Sequence, residues 1–343
     1  MDINKPSSTG IIYLEDLVSN KNYGYQDKFY IGLFPKFKRD LYLDLLKTAG
    51  TIRNLSKGTN IKFTRLWDQL TRVPISIELL NKISEYLVNK GYDKYKLKNI
   101  EKQIIYIKSA GSKSQKLYYP KFPINLKTIE GLRFISHLYH DGCIGEFNKQ
   151  PQYTNQSKKE VKQFLNDAKI VFGNFKRKIK YGFGHGIKRE KYFVINLPTV
   201  IGEVMIKAGF ISGDKTRKNP VVFRFLKNIN NKKLISEFIA KAFNDECHVR
   251  DREITLEQST LIKNHPKPSN ILLLDKVLLE KLGIKVRKIK FIKRYNNRYG
   301  EVAKFNIGIY SKKNLNNFYK NINLIKHKKL KLENYLVRTG ETT

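Results

Sequence analysis

Two acidic residues, Asp141 and Glu246, each end an apolar segment and are the residues best placed to do chemistry. Apolar residues recur at helical spacing up to Tyr139 in the first segment and up to Phe243 in the second. This period is typical of helices with one apolar face. The segments also hold small residues that favour close packing of two helices: Gly131, Ser236 and Ala240.

Close packing of these helices would bring Asp141 and Glu246 together at their C-terminal ends. A carboxylate at the negative end of a helix dipole is unfavourable unless a cation binds there. The pattern therefore favours a cation site between two helix ends. The alternative interpretation is a pair of ordinary amphipathic helices that only build a core.

The residues after each acid follow one order of elements. After Asp141 the patterns predict a helix over 158–172, a strand over 191–197 and a helix over 199–208. After Glu246 they predict a strand over 254–258, a helix over 271–282, strands over 286–292 and 302–309, and a helix over 315–320. The repeated order indicates one supersecondary unit that occurs twice. It predicts an α+β fold of two αββαββα halves related by a pseudo-two-fold axis. A lysine lies at a matched place in each copy, at Lys215 and Lys329.

These segments resemble the LAGLIDADG homing endonucleases, in particular archaeal single-chain members with both motifs in one polypeptide and a helical domain ahead of them. The nine-residue motif corresponds to 134–142 in the first copy and to 239–247 in the second. Outside the motifs, 208–216 and 252–259 also look like members of that family. The resemblance covers roughly residues 95 to 335.

The resemblance implies a site-specific endonuclease that hydrolyses both strands of double-stranded DNA, as in intron homing. Its two motif helices would form the interface between halves, and its two sheets a basic saddle over a long DNA site. Asp141 and Glu246 would bind Mg²⁺ or Mn²⁺, with Lys215 and Lys329 near the scissile phosphate and Gln258 positioning the water.

Two residues depart from the family pattern. Lys241 replaces a small residue within the second helix, and Cys247 replaces the glycine that follows the second acid. The Cβ of Cys247 is expected to strain the turn or to shift Glu246.

Independently of the family resemblance, the residue types suit phosphodiester hydrolysis. Mg²⁺ prefers oxygen ligands and usually takes one or two carboxylates from protein, with phosphate oxygens completing the shell. Metal and lysine charge would stabilise the transition state. In a lysine-rich chain, the alternative is that Lys215 and Lys329 are surface residues.

The net charge of +37, from 67 Lys and Arg against 30 Asp and Glu, indicates nucleic acid as the partner. Residues 285–294 alternate apolar and basic, which predicts a strand with one core face and one positive face. A lysine-protected edge strand is the alternative. A parallel segment spans 174–189, with glycines suggesting a hairpin tip. The predicted DNA contacts in these segments are Arg177, Lys178, Lys180, Lys188, Arg189, Arg287, Lys288, Lys290, Lys293 and Arg294.

A different unit precedes the repeat. Helices are predicted over 40–48, 52–57, 62–72 and 77–88, with a turn at 58–60. A short helix, a glycine-containing turn and a second helix is helix-turn-helix order, although small bundles also show it. This interpretation places Leu66, Trp67 and Leu70 inside, and it directs five side chains toward DNA: Lys62, Thr64, Arg65, Gln69 and Arg72.

Length and composition set the remaining expectations. The 343 residues divide into an N-terminal segment 1–37, a helical domain 38–95, a linker hairpin 96–127 and the repeats 128–232 and 233–343. No apolar run is long enough for a membrane span, and no signal pattern begins the chain. We therefore expect a cytoplasmic monomer, nucleoid-associated when bound to DNA.

Two cysteines, Cys143 and Cys247, argue against a disulfide scaffold. With His140 and His248 they suggest an alternative zinc site, although the usual ligand spacing is missing.

The sequence thus predicts a single-chain, metal-dependent DNA endonuclease. The principal rival is a catalytically silent DNA-binding regulator or RNA-splicing maturase on the same scaffold. A nucleic-acid packaging protein, binding without sequence preference, is the remaining rival class.

Overall fold

The protein is described by a computed structural model that covers residues 6–18, 29–111, 114–183, 191–250, 252–262 and 266–338. It has mixed α and β structure, and every strand pair in its sheets is antiparallel. The α+β class predicted from the sequence is confirmed. No helix in these ranges is both long enough and apolar enough to cross a membrane.

The region before the repeat combines helices with a four-stranded sheet. Its elements are α1 (Pro6–Thr9), β1 (Ile11–Ile12), β2 (Phe29–Leu33), α2 (Pro35–Ala49), α3 (Ile52–Thr59), α4 (Phe63–Thr71), β3 (Ile75–Ser76), α5 (Ile77–Val88), α6 (Leu97–Ile100), β4 (Ile104–Ser109), β5 (Leu117–Tyr118) and β6 (Ile124–Asn125). The strand order is β3-β2-β4-β5. The sequence predicted the helices well, but it did not predict that the segments before and after them pair into this sheet.

The two repeats contain sheets of matching strand order. The first has α7 (Ile129–Tyr139), β7 (Cys143–Ile144), β8 (Pro151–Asn155), α8 (Lys158–Phe172), β9 (Lys180–Phe183), β10 (Lys191–Asn196) and α9 (Thr199–Lys207), followed by α10 (Lys215–Lys218) and α11 (Arg224–Lys227). The second has α12 (Lys232–Glu246), β11 (Cys247–Arg250), β12 (Glu253–Leu261), α13 (Asn270–Lys281), β13 (Lys290–Asn297), β14 (Gly300–Ile309), α14 (Lys312–Asn321) and α15 (Lys326–Arg338). The orders are β7-β8-β10-β9 and β11-β12-β14-β13.

Helices α7 and α12 pack against each other, and local sequence explains where each begins. The side chain of Thr128 caps α7 by accepting from Gly131 N, and Asn231 caps α12 by accepting from Leu234 N, which satisfies amides that lack an intrahelical partner. Across the interface, the buried Ser136 hydroxyl donates to Phe238 O at 2.7 Å.

The small residues do not all serve the interface as predicted. A Cβ on Gly131 would lie 2.6 Å from the backbone oxygen of Leu126, so this glycine admits the preceding chain. Ser236 donates to the backbone oxygen of Asn321, the last residue of α14. Ser136 is the residue whose small side chain bonds the facing helix.

The strand predicted over 286–292 is displaced along the chain. β13 spans Lys290–Asn297, and all of its residues except Asn297 are exposed. β13 is an edge strand, since β14 alone pairs with it. The predicted core face is confirmed for Val286 and Ile289, which precede β13 and pack against the core. It is wrong for β13 itself, where residues on both faces are exposed.

Candidate functional site

The two acids lie at the C-terminal ends of the paired helices α7 and α12. Asp141 lies two residues beyond the end of α7, and Glu246 is the last residue of α12. Asp141 is exposed, whereas Glu246 is only partly accessible. The two charges are close enough for each to affect the same neighbours, Lys215 and His140.

Asp245 is a third carboxylate that sequence reasoning missed. Its side chain is buried and accepts from Tyr153 Oη at 2.6 Å, with His137 Nδ1 at 2.9 Å. The amide nitrogen of Asn155 contacts Asp245 at 3.3 Å and Asp141 at 3.2 Å. Asp245 belongs to α12, yet these partners all lie in the first repeat, so it joins the two repeats beside Asp141.

A side-chain amide orients each motif acid. Asn155 at the end of β8 donates to Asp141, and Gln258 on β12 donates to Glu246 Oε2 at 3.2 Å. The amide oxygens are held by other donors, Ser157 N for Asn155 and Ser269 Oγ for Gln258. Each amide therefore turns its NH₂ group toward a carboxylate. Gln258 was predicted, whereas Asn155, which holds the matching place in the first repeat, was not.

A lysine is fixed at the C-terminal end of each motif helix. Lys215 Nζ donates to Leu138 O at 3.2 Å and Tyr139 O at 2.8 Å, and also to His140 O. Lys328 Nζ donates to Phe243 O and Asn244 O, both at 2.9 Å. The helix-end carbonyls attract positive charge because they lack intrahelical partners.

The second lysine predicted from the sequence is displaced by one residue. Lys329 Nζ lies 5.3 Å from the centroid of the Tyr319 ring, away from the helix-end carbonyls. Lys328 and Lys329 both lie in the first turn of α15, where neighbouring residues point about 100° apart. Lys328, therefore, occupies the place corresponding to Lys215.

Burial and mutual repulsion perturb the acids. Burial, followed by the charges of Asp245 and Glu246, raises the pKa of Asp141 to about 7, although its side chain still meets solvent. Burial also raises the pKa of Glu246 and lowers the pKa of Lys215. A cation between the carboxylates would relieve this repulsion.

A buried imidazole lies behind the acids. Burial acts to lower the pKa of His140, but the charge and hydrogen bond of Asp275, the charge of Glu246 and a bond to Ser136 O together raise it to about 9. His140 Nε2 lies 3.2 Å from Asp275 Oδ2 and Nδ1 lies 2.7 Å from Ser136 O. With both nitrogens facing acceptors, the ring is positively charged at neutral pH.

Backbone geometry distinguishes Gly142 from Cys247, the residues that follow the two acids. A Cβ on Gly142 would lie 2.8 Å from His137 O and 3.0 Å from Leu138 Cα. Cys247 instead opens β11 with φ −82° and ψ 150°, which any residue adopts without strain. The expectation that its Cβ strains the turn is therefore wrong.

A cleft of about 410 Å³ opens beside Asp141 and Asp245. Asn155, His327 and Lys328 also line it. Glu246 is not among its lining residues. Asp141 therefore borders this cleft, and Glu246 does not.

The donor set suits a metal that shares its ligands with a substrate. Within the described ranges, no group of three or more His, Cys, Asp or Glu residues is arranged to hold a metal ion. The predicted alternative of a Cys and His zinc site is therefore wrong. Burial raises the pKa of both thiols, that of Cys247 to about 11. Two carboxylates with an open side fit Mg²⁺ bound jointly by protein and phosphate.

The predicted basic contacts divide into three groups. Lys290, Lys293 and Arg294 lie on exposed β13, and Arg294 pairs with Glu301 at 3.7 Å. Arg287 stacks over the Tyr310 ring at 3.9 Å, and Lys288 is exposed. In the first repeat, Lys178 and Lys180 are exposed and Arg177 is half-buried, whereas Lys188 and Arg189 lie outside the described residues.

Two predictions for α4 are wrong. Gln69 is 8% exposed and its Oε1 accepts from Ser76 N at 2.8 Å, so it serves the fold rather than an outer surface. Trp67, predicted to pack inward, is 38% exposed. Leu66 and Leu70 are buried as predicted, and Lys62, Thr64, Arg65 and Arg72 are exposed.

No family model and no curated protein matches this chain. Among solved structures it is similar to I-DmoI in complex with DNA and Mn, at 15% identity, over 58% of this chain and 97% of that one, with a TM-score of 0.36. It is also similar to mesophilic variants from the homing endonuclease I-DmoI, at 11% identity, over 57% and 96%, with a TM-score of 0.35. The N-terminal LAGLIDADG domain of DUF199/WhiA matches at 12% identity, over 60% and 86%, with a TM-score of 0.34.

Proposed function

We propose that this protein is a metal-dependent endonuclease for double-stranded DNA, with Asp141 and Glu246 as the metal-binding residues. The observation that carries the proposal is the repeated arrangement at the two helix ends. Each end presents a carboxylate, a side-chain amide that donates to it, and a lysine held by the last helix carbonyls. A core pair of helices needs none of these polar groups.

The arrangement supplies what phosphodiester hydrolysis requires. A divalent ion, when bound, supplies charge neutralisation and an acidified water. Asn155 and Gln258 hold the carboxylates in one orientation, and Lys215 and Lys328 keep fixed positive charge close by. Fixed charges cost little reorganisation when negative charge develops on a phosphate.

Duplex DNA is the partner that the surface charge favours. The formal net charge is +37, and exposed basic residues follow the outer strand β13. Duplex DNA carries about one charge per 1.7 Å of its axis, so a surface of this sign attracts it at long range. We propose that the two sheets lie along the duplex and that the protein acts as a monomer, with its two repeats as pseudo-symmetric halves.

A second candidate is a DNA-binding protein on the same scaffold that does not cut. The observation favouring it is that Glu246 does not line the cleft that Asp141 opens into. Lys241, which replaces a small motif residue, also ties α12 to α8 through Glu160. In this candidate the basic surface binds nucleic acid, and Glu246 stabilises the fold instead of binding a metal.

Cleavage of a randomised DNA library tests the proposal. Plasmids with random inserts are incubated with protein and Mg²⁺ or EDTA, and new ends are captured and sequenced. We expect double-strand breaks at one recurrent sequence, only with the metal, and none with Asp141→Asn or Glu246→Gln. Glu280→Gln, which alters an exposed acid on α13, is the matched control and should cut normally.

Two outcomes would contradict the proposal. Binding to selected sequences with no ends above background would establish the non-cutting candidate. Equal cleavage by the parent protein and Asp141→Asn would place the catalytic residues elsewhere.

A further inference from the structure

Helix α4 presents a stripe of exposed residues on its outer side. Phe63, Thr64, Trp67 and Thr71 are exposed, and at about 100° per residue they fall on one side of the helix. We call these four residues the aromatic stripe. The exposed fractions of Phe63 and Trp67 are 42% and 38%, large values for aromatic side chains four residues apart.

The remaining sides of α4 are fixed to the domain. Leu66 and Leu70 are buried in the core. Gln69 accepts from Ser76 N at 2.8 Å, and Arg65 Nη2 donates to Ser76 Oγ at 3.0 Å. These bonds tie α4 to β3 and to the start of α5, so the aromatic stripe points outward in one fixed orientation.

The segment around the aromatic stripe is predominantly basic, although the exposed Asp68 lies next to Trp67. Segment 34–73 contains nine Lys or Arg residues against three Asp. The guanidinium of Arg53 lies 6.0 Å from the centroid of the Phe63 ring, and Lys62 and Arg72 are exposed at the two ends of α4. A second copy of a chain with a net charge of +37 would be repelled here, whereas a polyanion would be attracted.

We propose that the aromatic stripe is a second contact surface for duplex DNA, in which α4 enters the major groove. A helix of about 10 to 12 Å diameter matches a groove about 12 Å wide. Phe63 and Trp67 would meet thymine methyl groups, and the threonine hydroxyls would meet base edges or phosphates. Lys62 and Arg72 would contact the flanking phosphates. The proposal rests on the proposed function only in taking duplex DNA as the partner.

Trp67 gives a direct reporter, because it is the only tryptophan in the chain. Fluorescence of the full-length protein is titrated with a pool of short random duplexes. We expect DNA to quench or shift Trp67 emission, and the same change in Asp141→Asn. This second result separates the proposal from the catalytic function, since the stripe would bind whether or not the protein cuts.

Gel mobility shifts measure the contribution of each side chain. Phe63→Ala and Trp67→Ala should each weaken DNA binding by about tenfold, which is roughly 1.4 kcal/mol, because each removes one apolar contact to a base edge. Leu273→Ala on α13, at an apolar residue that is also 42% exposed, should leave the affinity unchanged. Trp67→Phe should retain most of it.

Salt dependence separates the two kinds of contact. Arg72→Ala should reduce the slope of log affinity against log salt by about 1, since one phosphate contact is lost. Trp67→Ala should lower affinity at every salt concentration and leave that slope unchanged, because an apolar contact releases no counterion.

Three results would overturn the proposal. The first is bound DNA by mobility shift with unchanged Trp67 emission. The second is parental affinity in both Phe63→Ala and Trp67→Ala. The third is a concentration-dependent change of Trp67 emission without DNA, accompanied by dimers in sedimentation, which would identify a second copy as the occupant.

Discussion

Replacing Lys241 with methionine should destabilise the protein strongly, although the residue departs from a small-residue motif position. Lys241 Nζ donates to Glu160 Oε2 at 2.8 Å and to Gln163 Oε1 at 2.6 Å. The side chains of Lys241 and Glu160 are 8% and 3% exposed. The pair joins α12 of the second repeat to α8 of the first, so it contributes to holding the repeats together.

The expected magnitude follows from the charge left behind. Lys241→Met leaves the Glu160 carboxylate buried without its cation, which costs about 3 to 5 kcal/mol for a pair of this kind. Replacing both partners, as Lys241→Met with Glu160→Leu, removes the buried charge. The free energy of unfolding of the double variant should therefore lie within about 1 kcal/mol of the parent value. Replacing a buried ion pair by apolar residues of similar volume changes stability little.

Urea unfolding followed by circular dichroism provides the measurement. Lys276→Met is the control, because its pair with Glu280 is partly exposed at 3.3 Å and should contribute less than about 1 kcal/mol. Lys241→Met lowering the free energy of unfolding no more than this control would contradict the prediction. A double variant as unstable as Lys241→Met alone would contradict it as well.

Three further predictions concern the site and its support. Gly142→Ala should cost about 1 to 3 kcal/mol in urea unfolding, because the added Cβ meets its own helix backbone at 2.8 Å. The His140 and Asp275 pair should stabilise the fold most below pH 6.5, and that contribution should disappear as pH rises through about 9, where the folded imidazole loses its proton. Lys328→Met should reduce cleavage at least tenfold while Lys329→Met leaves it intact, because only Lys328 bonds the helix-end carbonyls.

Each of these predictions has a contrary result. Parental stability in Gly142→Ala would show that the helix end can shift to admit a methyl group. A His140→Gln variant whose stability falls between pH 6.5 and 9 as steeply as that of the parent protein would assign the titration to another group. A greater loss of cleavage in Lys329→Met than in Lys328→Met would identify Lys329, the lysine predicted from the sequence, as the functional one.

Local pattern determined much of the fold. Periodicity placed the two motif helices and their acids, and capping residues fixed where helices such as 77–88 and 158–172 begin and end. These features depend on neighbours within a few residues, so one sequence contains them. Charge composition, likewise, pointed to a nucleic-acid partner before any fold was known.

Tertiary structure decided which side chains complete the site. Lys328 rather than Lys329 meets the second helix end, because the rotation of α15 about its axis is set by packing. Asp245 joins Asp141 through Asn155 only because α12 lies against the first repeat. These contacts join residues some 80 to 110 positions apart or depend on which side of a helix faces inward. Spacing along the chain determines neither these long-range contacts nor the side of a helix that faces inward.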